Sequence, residues 1–185
     1  METILLGQRP LTIEAVCAIA ERRAVPAIDP DPAVRERIAE SRRLIDDALA
    51  GARTIYGVTT GFGASVEFHV PVEVAEEMPL NLVRYHGCGT GAIFGESAAA
   101  AILAVRANSL AQGFSGVRQE LLDRMCALGA AGCFPAIPEE GSVGASGDLT
   151  PLSYIGALLV GERECWWKGQ LVRALYYTAL AEDQE

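Results

Sequence analysis

The chain has 185 residues, with 24 acidic and 15 basic side chains and a net charge of −9, which excludes a nucleic-acid surface built on a basic stripe. Half of its residues are hydrophobic and 21% are charged, enough for a sizeable core and too apolar for a disordered chain. Mean hydropathy is +0.22, and that surplus predicts an apolar surface covered by a second copy or a partner chain.

In chain order, the N-terminal Met-Glu-Thr-Ile-Leu-Leu-Gly lacks the basic start and long apolar run of a secretory leader. Thr12 caps a short helix ending at Ala20, with Ile13, Val16 and Ile19 on its apolar face. Proline density predicts a loop over 26–32. A longer helix follows over 33–50, with Val34, Ile38, Ile45 and Leu49 on one face and charges opposite, and Gly51 ends it. A strand-like piece at 54–56 leads into a glycine-rich turn over 57–63. Residues 72–88 read as helical despite Pro79, and Gly87, Gly89 and Gly91 break them. Alanine-rich 97–111 and then 117–128 are helices. The apolar run at 98–105 is stopped by Arg106, and the run at 149–160 is short of the roughly 20 residues a membrane span needs. A loop over 129–147 precedes a helix with Thr150 as N-cap and Pro151 in its first turn. Residues 166–172 predict a small hairpin, and 173–185 have weak helical character. The class is mainly α.

Few residues carry chemistry on their own. Five cysteines, Cys17, Cys88, Cys126, Cys133 and Cys165, form no C-x-x-C pair, which predicts reduced thiols in a cytoplasmic protein and neither a disulfide framework nor a zinc site. His69 and His86 lack adjacent carboxylates, so no metal site is expected. None of the glycine clusters over 57–63, 87–91 and 141–147 has the sequence of a phosphate loop. Gly144-Ala-Ser146-Gly147 does not fit the Gly-x-Ser-x-Gly nucleophile elbow either. It does feed a helix N-terminus, where free N–H groups favour developing negative charge. The alternative is a plain capped loop, with Asp148 or Thr150 satisfying the first turn. Tyr56 could serve as an acid or base, or be a core tyrosine bonded to the backbone. Arg84 and Arg106 are snorkelling or ion-pair candidates, and Glu139-Glu140 reads as a solvated loop edge.

Taken together, three segments carry a resemblance: Tyr56-Gly-Val-Thr-Thr-Gly-Phe-Gly63, Asn81-Leu-Val-Arg-Tyr-His-Gly-Cys-Gly89 and Gly144-Ala-Ser-Gly-Asp-Leu-Thr-Pro-Leu-Ser153. In content and order they resemble the aromatic amino acid ammonia-lyases, a family of histidine, phenylalanine and tyrosine ammonia-lyases and related aminomutases. The resemblance covers nearly all of 1–172. It implies the N-terminal domain of the fumarase/aspartase-like helical fold, with 173–185 as a divergent tail and without the family's central helical bundle.

The resemblance also implies an electrophile made by the chain itself, with no external cofactor. In the family, the tripeptide matching Ala145-Ser146-Gly147 cyclises to 4-methylidene-imidazol-5-one (MIO). The Gly147 nitrogen reaches the Ala145 carbonyl carbon and Ser146 loses its hydroxyl as water. A helix start at Asp148 would support the ring by withdrawing electron density. The family's reaction takes ammonia from an aromatic amino acid to leave an α,β-unsaturated acid. Tyr56 matches its base for the β-proton, a role that needs a lowered tyrosine pKa since the free value is roughly 10. Gly63 matches the backbone flanking the substrate, and Tyr85 and His86 match the pair that selects the side chain. His86 fits the histidine-using branch, while Tyr85 departs from its commoner Ser-His, so histidine and tyrosine lead and phenylalanine stays open. The family shares active sites between subunits, which implies a homo-oligomer. Its members are much longer, so two alternatives stand: a non-catalytic remnant or accessory subunit pairing with a full-length paralogue, and an aminomutase.

Overall fold

The computed structural model describes residues 1–51, 53–71, 77–144 and 149–174. Strand β1 (Glu2–Leu6) runs into helix α1 (Ile13–Ala20) and back to β2 (Ala24–Ile28). The two strands pair in parallel, from Glu2 opposite Ala24 to Leu6 opposite Ile28. The loop expected over 26–32 is therefore corrected in its first half. Pro26 stands opposite Ile4 in a two-stranded sheet, where an edge strand tolerates a missing N–H. Thr12 caps α1 as expected, its Oγ1 accepting the Ala15 N–H at 3.2 Å. Asp31 does the same for α2 (Pro32–Ala50), accepting the Ala33 N–H at 2.9 Å, and Gly51 is the C-cap.

The piece at 54–56 is not a strand. The Ile55 carbonyl accepts the N–H groups of Val58 and Thr59, and its own N–H donates to Thr59 Oγ1 at 2.8 Å. Local bonds thus occupy the groups a strand ladder would use. Helix α3 (Met78–His86) ends two residues before the expected Cys88, and Pro79 stands in its first turn, where no N–H is needed, rather than in its interior. Residues 72–76 of that expected helix lie outside the described residues. Then come β3 (Thr90–Ile93), α4 (Glu96–Ala111) and α5 (Gln119–Ala131).

The loop expected over 129–147 is also corrected. It contains the end of α5 and two three-residue strands, β4 (Cys133–Pro135) and β5 (Pro138–Glu140), the second pairing antiparallel with β3. Glu139 and Glu140 are exposed, as read, but on a strand. Helix α6 (Leu149–Leu159) begins one residue before the expected cap. Thr150 lies within it, its N–H donating to the Ser142 carbonyl at 3.0 Å. The hairpin at 166–172 is present as β6 (Glu164–Trp167) and β7 (Gln170–Arg173), with β4 added as a third strand. Ala174 is buried behind it, and residues 175–185 of the expected tail lie outside the described residues.

The core forms around α4, which buries Ala99, Ala100, Leu103, Ala104, Ala107, Leu110 and Ala111 and packs on α1 and α5. Its alanines let neighbouring backbones come close. Leu122 and Met125 of α5 and Phe134 of β4, each at most 1% exposed, fill the centre, and burial of each such side chain is worth about 1.5–3 kcal/mol. Arg37 staples the outer layer, donating to the Gly7 carbonyl at 2.6 Å and the Gln112 carbonyl at 2.9 Å. Trp166 Nε1 donates to the Phe94 carbonyl at 2.8 Å, tying the three-stranded sheet to the end of β3. Among the described residues, no helix is long and apolar enough to cross a membrane.

Candidate active site

The turn at 57–63 is shaped by its side chains as much as by its glycines. Thr60, 2% exposed, accepts the Gly57 N–H on Oγ1 at 3.2 Å and donates to the Gly61 carbonyl at 3.0 Å. It also stands in an isolated antiparallel bridge with His69. Gly57 has φ +71, and a Cβ there would meet the Phe62 ring at 2.8 Å. That close approach leaves Phe62 edge-on to Tyr56, with ring centres 6.3 Å apart. The Tyr56 side chain, 61% exposed, then reaches back across the turn, and its Oη accepts the Gly63 N–H at 3.1 Å.

Helix α3 presents the second pair. His86 Nδ1 lies 3.0 Å from the Leu82 carbonyl. A carbonyl only accepts, so Nδ1 carries the proton of this bond and Nε2 of the neutral ring is left as an acceptor. Tyr85, 79% exposed, meets the His86 ring edge-to-face at 4.9 Å.

The C-terminal end of α3 is clamped to the far end of α6. Gly161 ends α6 at φ +75, and the Glu162 N–H returns to the Ala157 carbonyl at 2.8 Å. Glu162 is thereby aimed at α3, where Arg84 Nε reaches both its carboxylate oxygens at 2.9 and 3.2 Å and Arg84 Nη2 bonds to it as well. The Arg84 hydrogen bond is the main reason that the Glu162 carboxyl is held below the usual glutamate range. Arg163 packs against Gly87, where a Cβ would collide with its guanidinium, and stacks over the Tyr154 ring at 4.9 Å. Tyr154 Oη in turn accepts the Gly89 N–H at 3.1 Å.

These segments enclose one cavity of about 760 Å³. The turn and its flanks contribute Tyr56, Gly61, Phe62, Gly63 and Ser65, α3 contributes Met78, Asn81, Leu82, Tyr85 and His86, and α6 contributes its first residue, Leu149. Four residues singled out in the sequence, Tyr56, Gly63, Tyr85 and His86, thus share one space. The other four, Ala145, Ser146, Gly147 and Asp148, lie outside the described residues. Their flanks are held together: the Leu149 N–H donates to the Val143 carbonyl at 3.2 Å and the Thr150 N–H to Ser142. Leu149, at the end of that junction, lies on the cavity wall.

Sequence reasoning missed Phe62, Met78 and Asn81. Asn81 opens the second of the three quoted segments, and its position one turn before Tyr85 was the available signal. Among the described residues, no three of His, Cys, Asp and Glu converge on a metal position.

The mainly helical fold and a glycine-turned cavity walled by Leu149, which follows Gly144-Ala-Ser-Gly147 by two positions in the chain, define a class. Residues 11–182 match the aromatic amino acid lyase family, and the chain belongs to it. A histidine ammonia-lyase of Anaeromyxobacter sp. (strain K) is 43% identical over 166 residues, covering 90% of this chain and 32% of that protein. A tyrosine aminomutase structure from Streptomyces globisporus superposes with a TM-score of 0.88 at 36% identity, covering 96% of this chain and 33% of the other. For a histidine ammonia-lyase structure from Trypanosoma cruzi the values are 0.86 and 30%, with 98% and 34% covered. The chain spans about a third of the length of the curated relatives it matches.

Proposed function

We propose that this chain supplies the electrophile, the base and the side-chain pocket for removal of ammonia from an aromatic amino acid whose ring carries a hydrogen-bond donor, histidine or tyrosine. One observation carries the reading. Tyr56 and Gly63, from a turn, and Tyr85 and His86, from a helix more than twenty residues on, line the same cavity as Leu149, which closely follows Ala145-Ser146-Gly147. A methylidene-imidazolone formed from that tripeptide would supply an electron sink for the departing amine.

The chain's own residues divide the remaining work. Tyr56 takes the β-proton at Oη, an oxygen held in place by the Gly63 N–H. His86, its Nδ1–H occupied by Leu82, offers Nε2 to a donor on the substrate ring. An imidazole N–H or a phenol O–H satisfies that acceptor and a phenyl ring leaves it unpaired, so phenylalanine ranks last. Association through exposed apolar side chains such as Ile13, Leu44 and Phe114 and residence in the reducing cytoplasm, with all five thiols free, belong to the same reading.

Peptide mass spectrometry across 145–147, combined with product analysis after incubation with histidine, tyrosine and phenylalanine, tests it. The expected peptide is lighter by two waters, and the expected product is the unsaturated acid of histidine or tyrosine. An unmodified tripeptide in folded chain overturns the reading. The likeness to a tyrosine aminomutase favours a second outcome, a β-amino acid among the products. Turnover that starts only when a full-length relative is added would instead assign the chain an accessory role.

A further inference from the structure

Behind His86 lies a second, smaller cavity of about 260 Å³. It shares Leu82, His86 and Leu149 with the larger one, while its own walls are Val83, Leu152, Ser153 and Arg106. Tyr56 and the 57–63 turn take no part in it. Arg106 comes from α4, a helix whose other inward residues are alanine and leucine. Its side chain is partly buried, yet its guanidinium makes no hydrogen bond or ion pair among the described residues. The contrast within the molecule is sharp. Arg37 has two carbonyls, Arg84 has Glu162, and Arg163 has Tyr154 and the Arg84 carbonyl. A guanidinium drawn from bulk water without an anion is costly, so the position calls for one.

The walls say which kind. None of the described lining residues is acidic. The Ser153 hydroxyl is committed to the Thr150 carbonyl at 2.6 Å and His86 Nδ1–H to Leu82, so among the described lining side chains Arg106 is the donor left to greet a ligand. The remaining surface is leucine and valine. We propose that this cavity binds a small organic acid, its carboxylate in a two-pronged bond to Arg106 and its apolar body against Val83, Leu149 and Leu152. Drug-sized ligands occupy pockets of roughly 300–1,000 Å³, so the guest is no larger than a single-ring acid. The unsaturated acids released by the proposed reaction belong to this class. That consequence rests on the proposed function, whereas the binding itself does not.

The test is binding of 3-phenylpropanoate and its neutral amide, 3-phenylpropanamide, to the methyl-labelled chain, followed by NMR. Neither compound can undergo elimination, so the result is independent of the electrophile and of turnover. The acid is expected to shift the Val83 and Leu152 methyls saturably and to leave Met78, which lines only the larger cavity, in place. Arg106→Gln is expected to weaken the acid at least tenfold and to leave the amide unchanged. Should that variant fail to fold, the wild-type chain still decides, because it must prefer acid to amide at least tenfold. Equal affinity for the two, shifts at Met78 without Val83 and Leu152, or no saturable shift at millimolar acid overturns the proposal. So does self-association that Arg106→Gln abolishes without any binding of the acid, which would assign the guanidinium to a carboxylate of another chain.

Discussion

At the scale of single residues, the turn that carries Tyr56 depends on backbone conformations that side chains resist. Gly57 and Gly63 have φ of +71 and +55, a region that costs an L-residue roughly 1–2 kcal/mol. The two differ in what surrounds them. A Cβ on Gly57 meets the Phe62 ring, whereas on Gly63 it meets nothing within 4 Å. Gly57→Ala should therefore lower the urea midpoint more than Gly63→Ala does, because only the first must also displace an aromatic ring. Equal midpoints would show that Phe62 yields freely and does not brace Tyr56. The Tyr56–Gly63 bond is a different matter, since neither residue type announces it. Its partners were legible in the sequence only through the resemblance of the whole segment, and the Phe62 contact behind them was not legible at all.

At the scale of elements, the helices were readable because their apolar residues recur at helical spacing and a capping residue marks a start, as Thr12 does. The short strands were not. Ala24–Ile28 and Pro138–Glu140 each contain a proline, and their pairing is set by partners far along the chain, Glu2–Leu6 and Thr90–Ile93. The α3–α6 clamp was half visible. Arg84 was read as an ion-pair candidate, but Glu162 lies 78 positions away and only the fold brings it near. The clamp has a pH signature. Its Arg84 bond lowers the Glu162 pKa from the ordinary 4.5, so its contribution to stability is complete above about 4.5. That contribution is lost as pH falls through the lowered value. Thermal melts from neutral pH to about pH 3 should show a difference between wild type and Glu162→Gln that shrinks at the acid end. A difference constant across that range would mean that the ion pair contributes nothing beyond its shape.

At the scale of the molecule, the five thiols report on how the core is closed. Cys17 and Cys88 are exposed, whereas Cys126, Cys133 and Cys165 are buried. Burial pushes the Cys126 thiol up to about 12, and Cys133's own hydrogen bond to Cys165, then burial, raise the Cys133 thiol. A thiol reagent at neutral pH should modify two cysteines of the native chain promptly and the remaining three only on unfolding. Fast reaction of a third would show that the region between α5 and the three-stranded sheet opens in the folded state. The surplus of apolar residues noted in the composition is only partly absorbed by this core, because Ile13, Leu44 and Phe114 stay in solvent. Helix α6 leaves a constraint of another kind. It starts within two residues of the tripeptide, and the residues just beyond its end grip the segment that carries Tyr85 and His86. If the chain works as proposed, a substitution that slides it along its axis would disturb bond-making and side-chain choice at once. Selection for a new substrate should therefore spare α6 and collect its changes on α3 and the 57–63 turn, leaving the helix as the slow-evolving spine of an otherwise adaptable pocket.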